Sequence, residues 1–355
     1  MPVYLGVDFH ARTQTVCWCN TADGVTGERT LDHQLDDVRA FYAQFPAPAV
    51  IGLESSGYAR WFHRLLHQLG HQVRVGDAFA IRQCARRRQK NDRRDAALLL
   101  ELLLRDEFPA VHIPSPASQD VLLLLRYRHR LVRMRTMLYN GLHAVALNHR
   151  LVLGPRLRTA RGRQRLMDLP LVGADALQRE HSLSLLTTLE ARIETLEEEL
   201  LRRGAQDARV QCLCTHPGVG LLTALAVVHT LEPVSRFDRA RRVAAYCGLD
   251  PQEHSSGDTV RFGHISKQGN RLLRFLLVEA AHRAVQPEQD EDLRRFYYHL
   301  VVKKSAAVAG VAVARKLVLR LYRMLREGID YDEFRRRGRD AGRARGMRSS
   351  VPGPN

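Results

Sequence analysis

Four acidic residues in the first part of the chain could together hold divalent cations. Asp8 and Glu54 each end a short apolar run, and Asp92 and Asp95 are three positions apart, which places both on one face of a helix. Carboxylate oxygens are ligands for Mg²⁺ and Mn²⁺, and such ions neutralise the attacking and leaving oxygens of a phosphodiester. The four acids therefore predict a metal site for phosphodiester chemistry. Taken singly, each acid has a surface, capping or salt-bridge role as its alternative.

A second group of reactive residues lies in a polar loop, residues 248–269. Ser255 and Ser256 stand directly before Gly257. A serine hydroxyl among cations suits attack on phosphorus, in which the serine oxygen holds the phosphate covalently. A serine pair before glycine is also an ordinary turn, and the spacing does not choose between the two serines. The cations in and after the loop are Lys267, Arg271 and Arg274.

The elements that would position the four acids alternate along the chain. Apolar or alternating runs predict strands at residues 3–8, 13–20, 24–31, 49–54 and 71–75. Helical spacing predicts helices at residues 35–45, 61–69 and 82–105. Strands followed by alternating strands and helices are typical of an α/β fold. We therefore expect an α/β domain over residues 1–115, with Asp8 and Glu54 at strand ends.

After Pro114 and Pro116 the sequence predicts helices and no further strand. The predicted helices are 122–151, 221–231, 239–247, 270–285 and 308–326. Leucines at three- and four-residue spacing over 186–200 predict either a coiled-coil seam or an ordinary amphipathic helix packed on its neighbours. The expected divisions are a basic helical and coiled-coil region at 116–205, a mainly α-helical domain at 206–327, and an Arg-rich tail at 328–355 that is disordered when free.

Positive charge is concentrated in three windows. The chain has a formal net charge of +17, and residues 126–165 contain eleven arginines and no acid. The other two windows are residues 82–95 and 335–348. Arginine suits phosphate because its planar group donates two hydrogen bonds to two oxygens. The clustering therefore predicts contact with nucleic acid, with a solvated basic face as the alternative.

A glycine-rich turn, His216 to Gly220, precedes the predicted helix 221–231. A tight turn that opens a helix presents backbone N–H groups to a phosphate, as in a helix-hairpin-helix element. A plain helix-to-helix turn is the alternative. Together with the arginine windows, this turn gives the predicted nucleic-acid-binding residues, which are Arg86, Arg87, Arg88, Arg126, Arg128, Arg130, Arg133, Arg135, Gly218, Gly220, Lys267, Arg271 and Arg274.

Three acidic blocks resemble those of a known family. Residues 6–8 (GVD), 52–58 (GLESSGY) and 90–96 (KNDRRDA) resemble the blocks of the DEDD insertion-sequence transposases, which include the pilin-gene inverting and the bridge-RNA-guided recombinases. Residues 216–220 (HPGVG), 244–251 (AAYCGLDP), 256–257 (SG) and 265–274 (ISKQGNRLLR) are similar to that family's C-terminal transposase domain.

The resemblance implies a function and a set of roles. The first domain would have a RuvC-like, ribonuclease-H-type fold that holds Mg²⁺ or Mn²⁺ through Asp8, Glu54, Asp92 and Asp95. Ser256 would be the nucleophile with which the enzyme cuts and rejoins DNA at element ends and targets. A structured guide RNA and a homo-oligomer, dimer or tetramer, are further expectations. The alternatives are a junction-resolving nuclease that hydrolyses with metal-bound water, and a non-catalytic nucleic-acid-binding scaffold.

Membrane insertion, export and zinc binding are not expected. No apolar run reaches the roughly 18 residues that a membrane span requires. The N-terminal residues lack the basic and cleavage regions of a signal peptide. Cysteines occur as C-x-C pairs or singly, without the C-x-x-C spacing of a zinc knuckle. The sequence therefore predicts a cytoplasmic protein with no membrane partner.

Overall fold

A six-stranded mixed sheet organises the first part of the chain. The computed structural model describes residues 2–84, 91–253 and 262–338, and the chain divides into two units, Met1–Ile113 and Pro114–Asn355. The strands are β1 (Val3–Phe9), β2 (Thr13–Asn20), β3 (Thr26–Asp32), β4 (Val50–Glu54), β5 (Gln72–Gly76) and β6 (Ala110–Val111). Their order is β3-β2-β1-β4-β5-β6. The predicted strands are thus confirmed, and β6 is an addition.

Strand β1 is the centre of this sheet. It pairs antiparallel with β2 and parallel with β4, and β4 pairs parallel with β5. Alternate residues of β1, among them Val3, Leu5 and Val7, enter a core with the helices α1 (Val38–Ala43) and α2 (Arg60–Gln68). The opposite face of β1 is covered by another helix, so both faces of the strand are buried.

The predicted helix over 82–105 is wrong as a single element. The chain forms α3 (Ala78–Cys84) and, separately, α4 (Asp92–Leu104). Asn91 has extended backbone angles, and its side chain accepts a hydrogen bond from the Arg93 backbone N–H at 3.1 Å, which caps α4. An N-cap asparagine starts a helix because it satisfies an N–H group that has no partner inside the helix.

Helices make up most of the second unit. They are α5 (Pro116–Asn148), α6 (Ala160–Met167), α7 (Gly173–Ala205), α8 (Ala208–Cys214), α9 (Leu221–Leu231), α10 (Ala240–Tyr246), α11 (Arg271–Ala284), α12 (Glu291–Lys303) and α13 (Ala306–Glu327). Helix α12 was not predicted. The sequence-based divisions at 205/206 and 327/328 stay predictions. No described helix combines the length and the apolar character that crossing a bilayer demands.

The predicted absence of strands after Pro116 is wrong. The polar loop 248–269 contains β7 (Pro251–Glu253) and β8 (Phe262–Ile265), which pair antiparallel. Both strands are short, and β7 is fully exposed, so neither carries the apolar alternation by which strands are recognised.

Helices α5 and α7 pack against each other. The seam residues Leu186, Ile193 and Leu200 are buried, at the seven-residue spacing of one coiled-coil position. Leu186 lies in a core with Tyr139 and Leu142 of α5. Of the two predicted alternatives, the structure therefore has the amphipathic helix that packs on its own neighbour.

Candidate active site

Two glycines let α4 lie directly on β1 and β4. A Cβ atom at Gly6 would lie 2.2 Å from the carbonyl oxygen of Ala96, and one at Gly52 would lie 2.8 Å from the nearest side chain of the same helix. Gly6 and Gly52 are partners in the parallel β1–β4 register. Side chains alternate across a strand, so Asp8 and Glu54, two positions further, face the side of the sheet that α4 covers.

The direction of α4 brings its first turn to the end of β1. Asp92 and Asp95 lie in that first turn. From Ala96, which covers Gly6, back to Asp92 the helix rises about 6 Å, and from Gly6 to Asp8 the strand rises about 7 Å. The two acids of the helix and the acid of β1 therefore meet at one edge of the sheet.

His10 lies between the carboxylates of Asp8 and Asp92. Its Nε2 atom hydrogen-bonds Asp8 Oδ2 at 3.1 Å and lies 3.5 Å from Asp92 Oδ1. One ligand atom from each of these three side chains lies within 4.8 Å of the other two, which is close enough for all three to share a cation. We call Asp8, His10, Asp92 and Asp95 the carboxylate corner.

The charges of the carboxylate corner are not balanced by its own residues. Burial is the main reason that the pKa of Asp8 lies above its ordinary value. His10 opposes this rise, whereas the nearby carboxylates of Asp95 and Asp92 add to it. Carboxylates that repel one another in this way are stabilised by a cation placed between them.

Glu54 lies at the neighbouring strand end, and its partner is an arginine of α3. Arg82 Nη2 lies 3.7 Å from Glu54 Oε1, and the Arg82 side chain is 76% exposed. Within the described part of the chain, the three side chains that share a metal-ligand spacing do not include Glu54. The structure therefore brings Asp8, Asp92 and Asp95 together and leaves Glu54 beside them, in contact with Arg82.

The sequence-based reasoning missed His10. It lies just beyond β1, two residues after Asp8, and residues two apart in an extended chain share a face. That spacing was the signal that could have found it. An imidazole is a ligand for transition metals as well as a hydrogen-bond partner for a carboxylate, so His10 can serve the corner in either way.

The arginines of α5 divide into two groups. Arg126, Arg130 and Arg133 are exposed, whereas Arg128 and Arg135 are partly buried. Arg128 Nε donates to Glu197 of α7 at 2.8 Å, and Arg163 Nη2 donates to Glu190 of the same helix at 2.7 Å. The acids of α7 therefore neutralise part of the positive charge that the window 126–165 concentrates.

Arg271 extends the basic surface of α5 onto α11. Burial lowers the pKa of His129, and the positive charges of Arg133, Arg128 and Arg271 lower it further. His129 packs its ring on Phe275 of α11 at 4.9 Å between ring centroids. Arginines of α5 and α11 therefore lie near one neutral histidine, and we call the exposed arginines Arg126, Arg130, Arg133 and Arg271 the basic surface.

Arg274 and Lys267 lie where the loop 248–269 joins α11. Arg274 Nη1 donates to the Cys247 carbonyl oxygen at 3.1 Å, which ties α11 to the end of α10. Lys267 is exposed and adopts the left-handed backbone conformation, with φ of 54°. Arg274 thus has a structural contact, whereas Lys267 is open to a ligand.

The turn before α9 has one packed and one open glycine. Gly218 has φ of 84°, and a Cβ there would lie 2.5 Å from the Ala284 backbone nitrogen. Gly220 is exposed at the N-terminus of α9, with open space where a Cβ would be. Packing against α11 therefore explains Gly218, and a nucleic-acid contact at this turn stays a prediction.

Some predicted site residues lie outside the described residues. These are the nucleophile Ser256 with its neighbour Ser255, and the arginines Arg86, Arg87 and Arg88. The C-terminal segment 339–355 of the Arg-rich tail also lies outside them.

A second group of acid and histidine lies inside the second unit. Asp290 Oδ2 accepts hydrogen bonds from Tyr331 Oη at 2.6 Å and Arg320 Nη1 at 2.5 Å, and Asp290 Oδ1 accepts one from the Leu293 backbone N–H at 2.8 Å. His216 Nε2 lies 3.9 Å from Asp290 Oδ2, and both side chains are fully buried. We call Asp290, His216, Arg320 and Tyr331 the buried polar cluster.

In the buried polar cluster, burial and hydrogen bonding have opposite effects on the pKa of Asp290. Burial lowers the pKa of His216 to about 4. Burial alone would raise the pKa of Asp290, but the hydrogen bonds from Tyr331 and Leu293 and the charge of Arg320 outweigh it, so that this pKa is lowered. Asp290 is therefore ionised and His216 neutral at pH 7.

Two protein-family models match this sequence. Residues 5–149 match a DEDD transposase model of the IS110 type, described as a transposase. Residues 210–298 match the model described as the transposase IS116/IS110/IS902 family. The first match contains the whole carboxylate corner, and the second contains the turn before α9 and the loop 248–269.

Named relatives are transposases as well. A probable family 20 transposase of Pseudomonas aeruginosa is 32% identical over 300 residues, which are 81% of this chain and 87% of the relative. The transposase for insertion sequence element IS1111A of Coxiella burnetii is 30% identical, over 78% of this chain and 79% of the relative. The transposase for IS1328 of Yersinia enterocolitica is 30% identical, over 78% and 83%.

Proposed function

This chain belongs to the IS116/IS110/IS902 family of insertion-sequence transposases, enzymes that cut and rejoin DNA, and we propose that it does so at the carboxylate corner with Glu54 and Ser256. The observation that carries the proposal is the meeting of Asp8, Asp92 and His10 at the end of β1. Phosphodiester cleavage by metal-dependent enzymes needs such convergent ligands, held by rigid elements.

The sheet supports a RuvC-like, ribonuclease-H-type fold for the first unit. Its central strand β1 has an antiparallel neighbour on one side and a parallel neighbour on the other. The first acid, Asp8, lies on β1, the second, Glu54, on the parallel neighbour, and the last two on the helix that covers both strands. This is the arrangement that a nuclease of that type uses to gather its acids.

The donor set fits a divalent cation of the Mg²⁺ or Mn²⁺ kind. Asp8, Asp92 and Asp95 would hold it, with Glu54 at the neighbouring strand end and His10 as an imidazole donor for Mn²⁺. Burial raises the pKa of Asp8, and the neighbouring carboxylates of Asp95 and Asp92 raise it further; this unfavourable placement of negative charge supports the assignment. Such a cation, when bound, stabilises negative charge on the phosphate oxygens as the phosphodiester reacts.

The residues around the cation have roles of their own. His10 hydrogen-bonds Asp8 and so orients that carboxylate toward Asp92. Arg82, largely exposed beside Glu54, offers its charge to a phosphate that enters the site. The exposed position of Asp92 leaves the corner open to a DNA strand.

Ser256 is the proposed nucleophile. Its hydroxyl loses a proton and its oxygen attacks phosphorus, while the bond from phosphorus to the 3′ oxygen breaks and that oxygen takes up a proton. The phosphoserine that results conserves the phosphodiester energy, and a 3′ hydroxyl that attacks it restores the serine and joins the strands. The β7–β8 pairing of Glu253 with Phe262 and the contact of Arg274 with Cys247 anchor the chain on both sides of this segment.

The basic surface supports a structured guide RNA as the partner that selects the DNA. The exposed arginines of α5 and Arg271 both belong to the second unit, and Arg133 and Arg271 both lie near His129. A homo-oligomer, dimer or tetramer, is the proposed assembly, since family members share sites between subunits.

A covalent protein–DNA adduct tests the nucleophile. Protein, Mg²⁺ and DNA that carries the element ends are incubated and separated on a denaturing gel. We expect a covalent band, with phosphoserine at Ser256 in the mass spectrum. Ser256→Ala should lose the band and the recombined product, and the matched control Ser255→Ala should keep both. Nicked DNA without an adduct would favour a hydrolytic, junction-resolving nuclease, and unchanged DNA would favour a binding scaffold.

The salt dependence of RNA binding tests the basic surface. Replacing an arginine that contacts phosphate should flatten the slope of log affinity against log salt by about 0.7–0.9. We expect this for Arg130→Gln and Arg133→Gln, and a smaller change for Arg128→Gln, whose charge Glu197 already neutralises. Equal slopes for all three variants and the wild type would place the RNA elsewhere.

A further inference from the structure

Five rings gather at the same end of β1 as the carboxylate corner, on the opposite face of the sheet. Phe9 stacks on Phe62 at 5.1 Å, on His33 at 5.0 Å and on Tyr58 at 5.9 Å between ring centroids. Trp61 lies 5.8 Å from Phe9 and meets His33 edge to face at 5.0 Å. The rings come from the end of β1, the segment after β3, the segment between β4 and α2, and the first turn of α2.

The inner rings of this group are buried and the outer rings are not. Phe9 and Phe62 belong to the core of the first unit. Tyr58 is 51% exposed and Trp61 is 42% exposed. Single exposed apolar residues are common on proteins. Tyr58 and Trp61, in contrast, both contact the buried ring of Phe9, and their exposed parts are open to a flat ligand. We call Tyr58 and Trp61 the aromatic platform.

The aromatic platform and the acids lie at the ends of the same two strands, on opposite faces of the sheet. Phe9, which supports the platform, directly follows Asp8, and Tyr58 lies four residues after Glu54. The strand ends that carry the two acids therefore also carry the rings. A strand whose phosphate lies at the carboxylates would have its neighbouring sugar and base within reach of Tyr58 and Trp61.

Two buried polar atoms close in sequence or space to the platform have no hydrogen-bond partner among the described residues. His33 Nε2 and Ser56 Oγ are buried, and no described residue hydrogen-bonds either of them. Burial lowers the pKa of His33, so its ring is neutral at pH 7. A neutral imidazole and a hydroxyl can pair with the polar edge of a nucleobase, whereas a purely structural aromatic cluster has no need of them.

We propose that the aromatic platform stacks on an unpaired DNA base next to the phosphodiester that is cut. The proposal rests on the proposed function, because it takes the DNA strand to lie at the carboxylate corner. DNA is favoured over RNA as the occupant because the platform lies at the strand ends that carry Asp8 and Glu54, whereas the arginines assigned to RNA belong to the second unit. Stacking on aromatic side chains tolerates any base sequence, which suits an enzyme whose target is chosen by another molecule.

The fluorescence of Trp61 can report the stacked base directly. The chain has two tryptophans, and Trp18 packs on Phe41 and Phe45 of the core. The Trp18→Phe variant therefore leaves Trp61 as the sole tryptophan. The probe is a single-stranded oligothymidylate of about ten nucleotides, within the site sizes of single-strand binders. An abasic oligonucleotide of equal length is the matched control, since it has the same phosphates and no bases. Ca²⁺ replaces Mg²⁺ so that binding is measured without cleavage.

We expect oligothymidylate to quench Trp61 and the abasic oligonucleotide to leave it unchanged. In the otherwise wild-type chain, Tyr58→Ala and Trp61→Leu should weaken oligothymidylate binding roughly 5- to 150-fold, the range for loss of one base stack. Trp61→Leu keeps an apolar side chain on Phe9 and removes the flat ring, so it separates stacking from folding. Phe79→Ala, at a ring that is 71% exposed outside the group, should have no effect.

Quenching by a structured RNA but not by DNA would overturn the proposal and assign the platform to RNA. Equal quenching by the abasic and the base-containing probes would overturn it as well, because the contact would then be with the backbone. The experiment distinguishes a failure of this proposal from a failure of the proposed function. A wild-type protein that cuts DNA but shows no quenching contradicts only the platform, and a protein whose Trp61 is quenched but that never cuts DNA contradicts only the cutting site.

Discussion

The carboxylate corner and the buried polar cluster each place an aspartate beside a histidine, but the pKa of the aspartate shifts in opposite directions. In the corner, Asp8 meets His10 at 3.1 Å and has a raised pKa. In the cluster, Asp290 meets His216 at 3.9 Å and has a lowered pKa. Both acids are largely withdrawn from water, so burial alone does not explain the difference.

The difference lies in what surrounds each carboxylate. Asp290 receives hydrogen bonds from an arginine, a tyrosine and a backbone N–H, which together satisfy its charge. Asp8 has one histidine, and its other close charged neighbours are two more carboxylates. A carboxylate whose charge is satisfied by hydrogen bonds and cations of the protein stabilises the fold. A carboxylate whose charge is not satisfied in this way is placed to bind a ligand. The two regions should therefore respond oppositely to the same substitution.

Removing one carboxylate from the corner should have the largest effect on activity. Asp8→Asn and Asp95→Asn keep the size of the side chain and remove a charge that a divalent cation needs. We expect Mg²⁺-dependent DNA cleavage to be abolished and the free energy of unfolding to stay equal or to rise, because repulsion between carboxylates is relieved. Cleavage assays and chemical denaturation measure the two quantities.

The control for these variants is Asp106→Asn, at an exposed acid of the same unit that pairs with Arg74. It should change neither quantity. Cleavage at the wild-type rate by Asp95→Asn, or a large loss of stability in Asp8→Asn, would contradict the view that the corner is built for a cation.

Replacing aspartate by asparagine in the buried polar cluster should lower the stability of the fold. Asp290→Asn leaves Arg320 almost buried without its counter-charge. Removing one partner of a buried pair lowers the free energy of unfolding by about 3–5 kcal/mol. Denaturation midpoints of the two variants compare the regions directly. A change below about 1 kcal/mol, the usual worth of an exposed ion pair, would show that Asp290 is not a structural charge.

The buried polar cluster should also make the fold sensitive to acid. His216 is neutral when folded, with its pKa lowered by burial to about 4 against about 6.5 when unfolded. Between pH 4 and pH 6.5 the unfolded state binds this proton more readily than the folded state. The contribution of His216 to the free energy of unfolding is therefore fully present above pH 6.5 and is lost as the pH falls toward 4. The contribution of His216 is about 3 kcal/mol over that window.

His216→Gln should flatten the plot of unfolding free energy against pH within this window, while Asp290, Arg320 and Tyr331 remain in place around it. His67→Gln, at an exposed histidine of α2, is the control and should leave the plot unchanged. Equal slopes for His216→Gln and the wild type would mean that His216 is already solvated.

The smallest expected effect separates the two possible roles of His10. Imidazole is a better ligand for Mn²⁺ than for Mg²⁺, whereas carboxylates suit both. If His10 binds the cation, His10→Asn should weaken Mn²⁺ relative to Mg²⁺ by about 10-fold, the lower end of the cost of a lost metal partner. The ratio of half-saturating concentrations in the cleavage assay measures this. An unchanged ratio with lower activity for both ions would make His10 a positioning residue for Asp8.

The sequence was most informative where a local pattern and the fold agree. Acids at the ends of apolar runs, such as Asp8 and Glu54, were found because parallel strands end at one edge of a sheet. The start of α4 was missed because most residues on both sides of Asn91 within 82–105 favour a helix. Asn91 followed by acids was nevertheless a capping signal that could have placed the break.

Other features had no local signal. His216 and Asp290 are far apart in the sequence, and nothing at either position indicates the other. The strands β7 and β8 are only three and four residues long, too short for an alternating pattern to be recognised. The neutralisation of Arg128 by Glu197 depends on the packing of α5 on α7, so a count of charges along the chain overstated the basic surface.

The contact of Gly6 with α4 has a consequence for reading related sequences. An alanine at position 6 would push the helix away from β1 by more than the flexibility of a backbone contact absorbs, since its methyl group would meet the Ala96 carbonyl at 2.2 Å. The distance between Asp8 and Asp92 would grow although both acids remain. A gene that encodes every acid of the corner could thus specify an inactive relative, and the residue two positions before the first aspartate would be the one that reveals it.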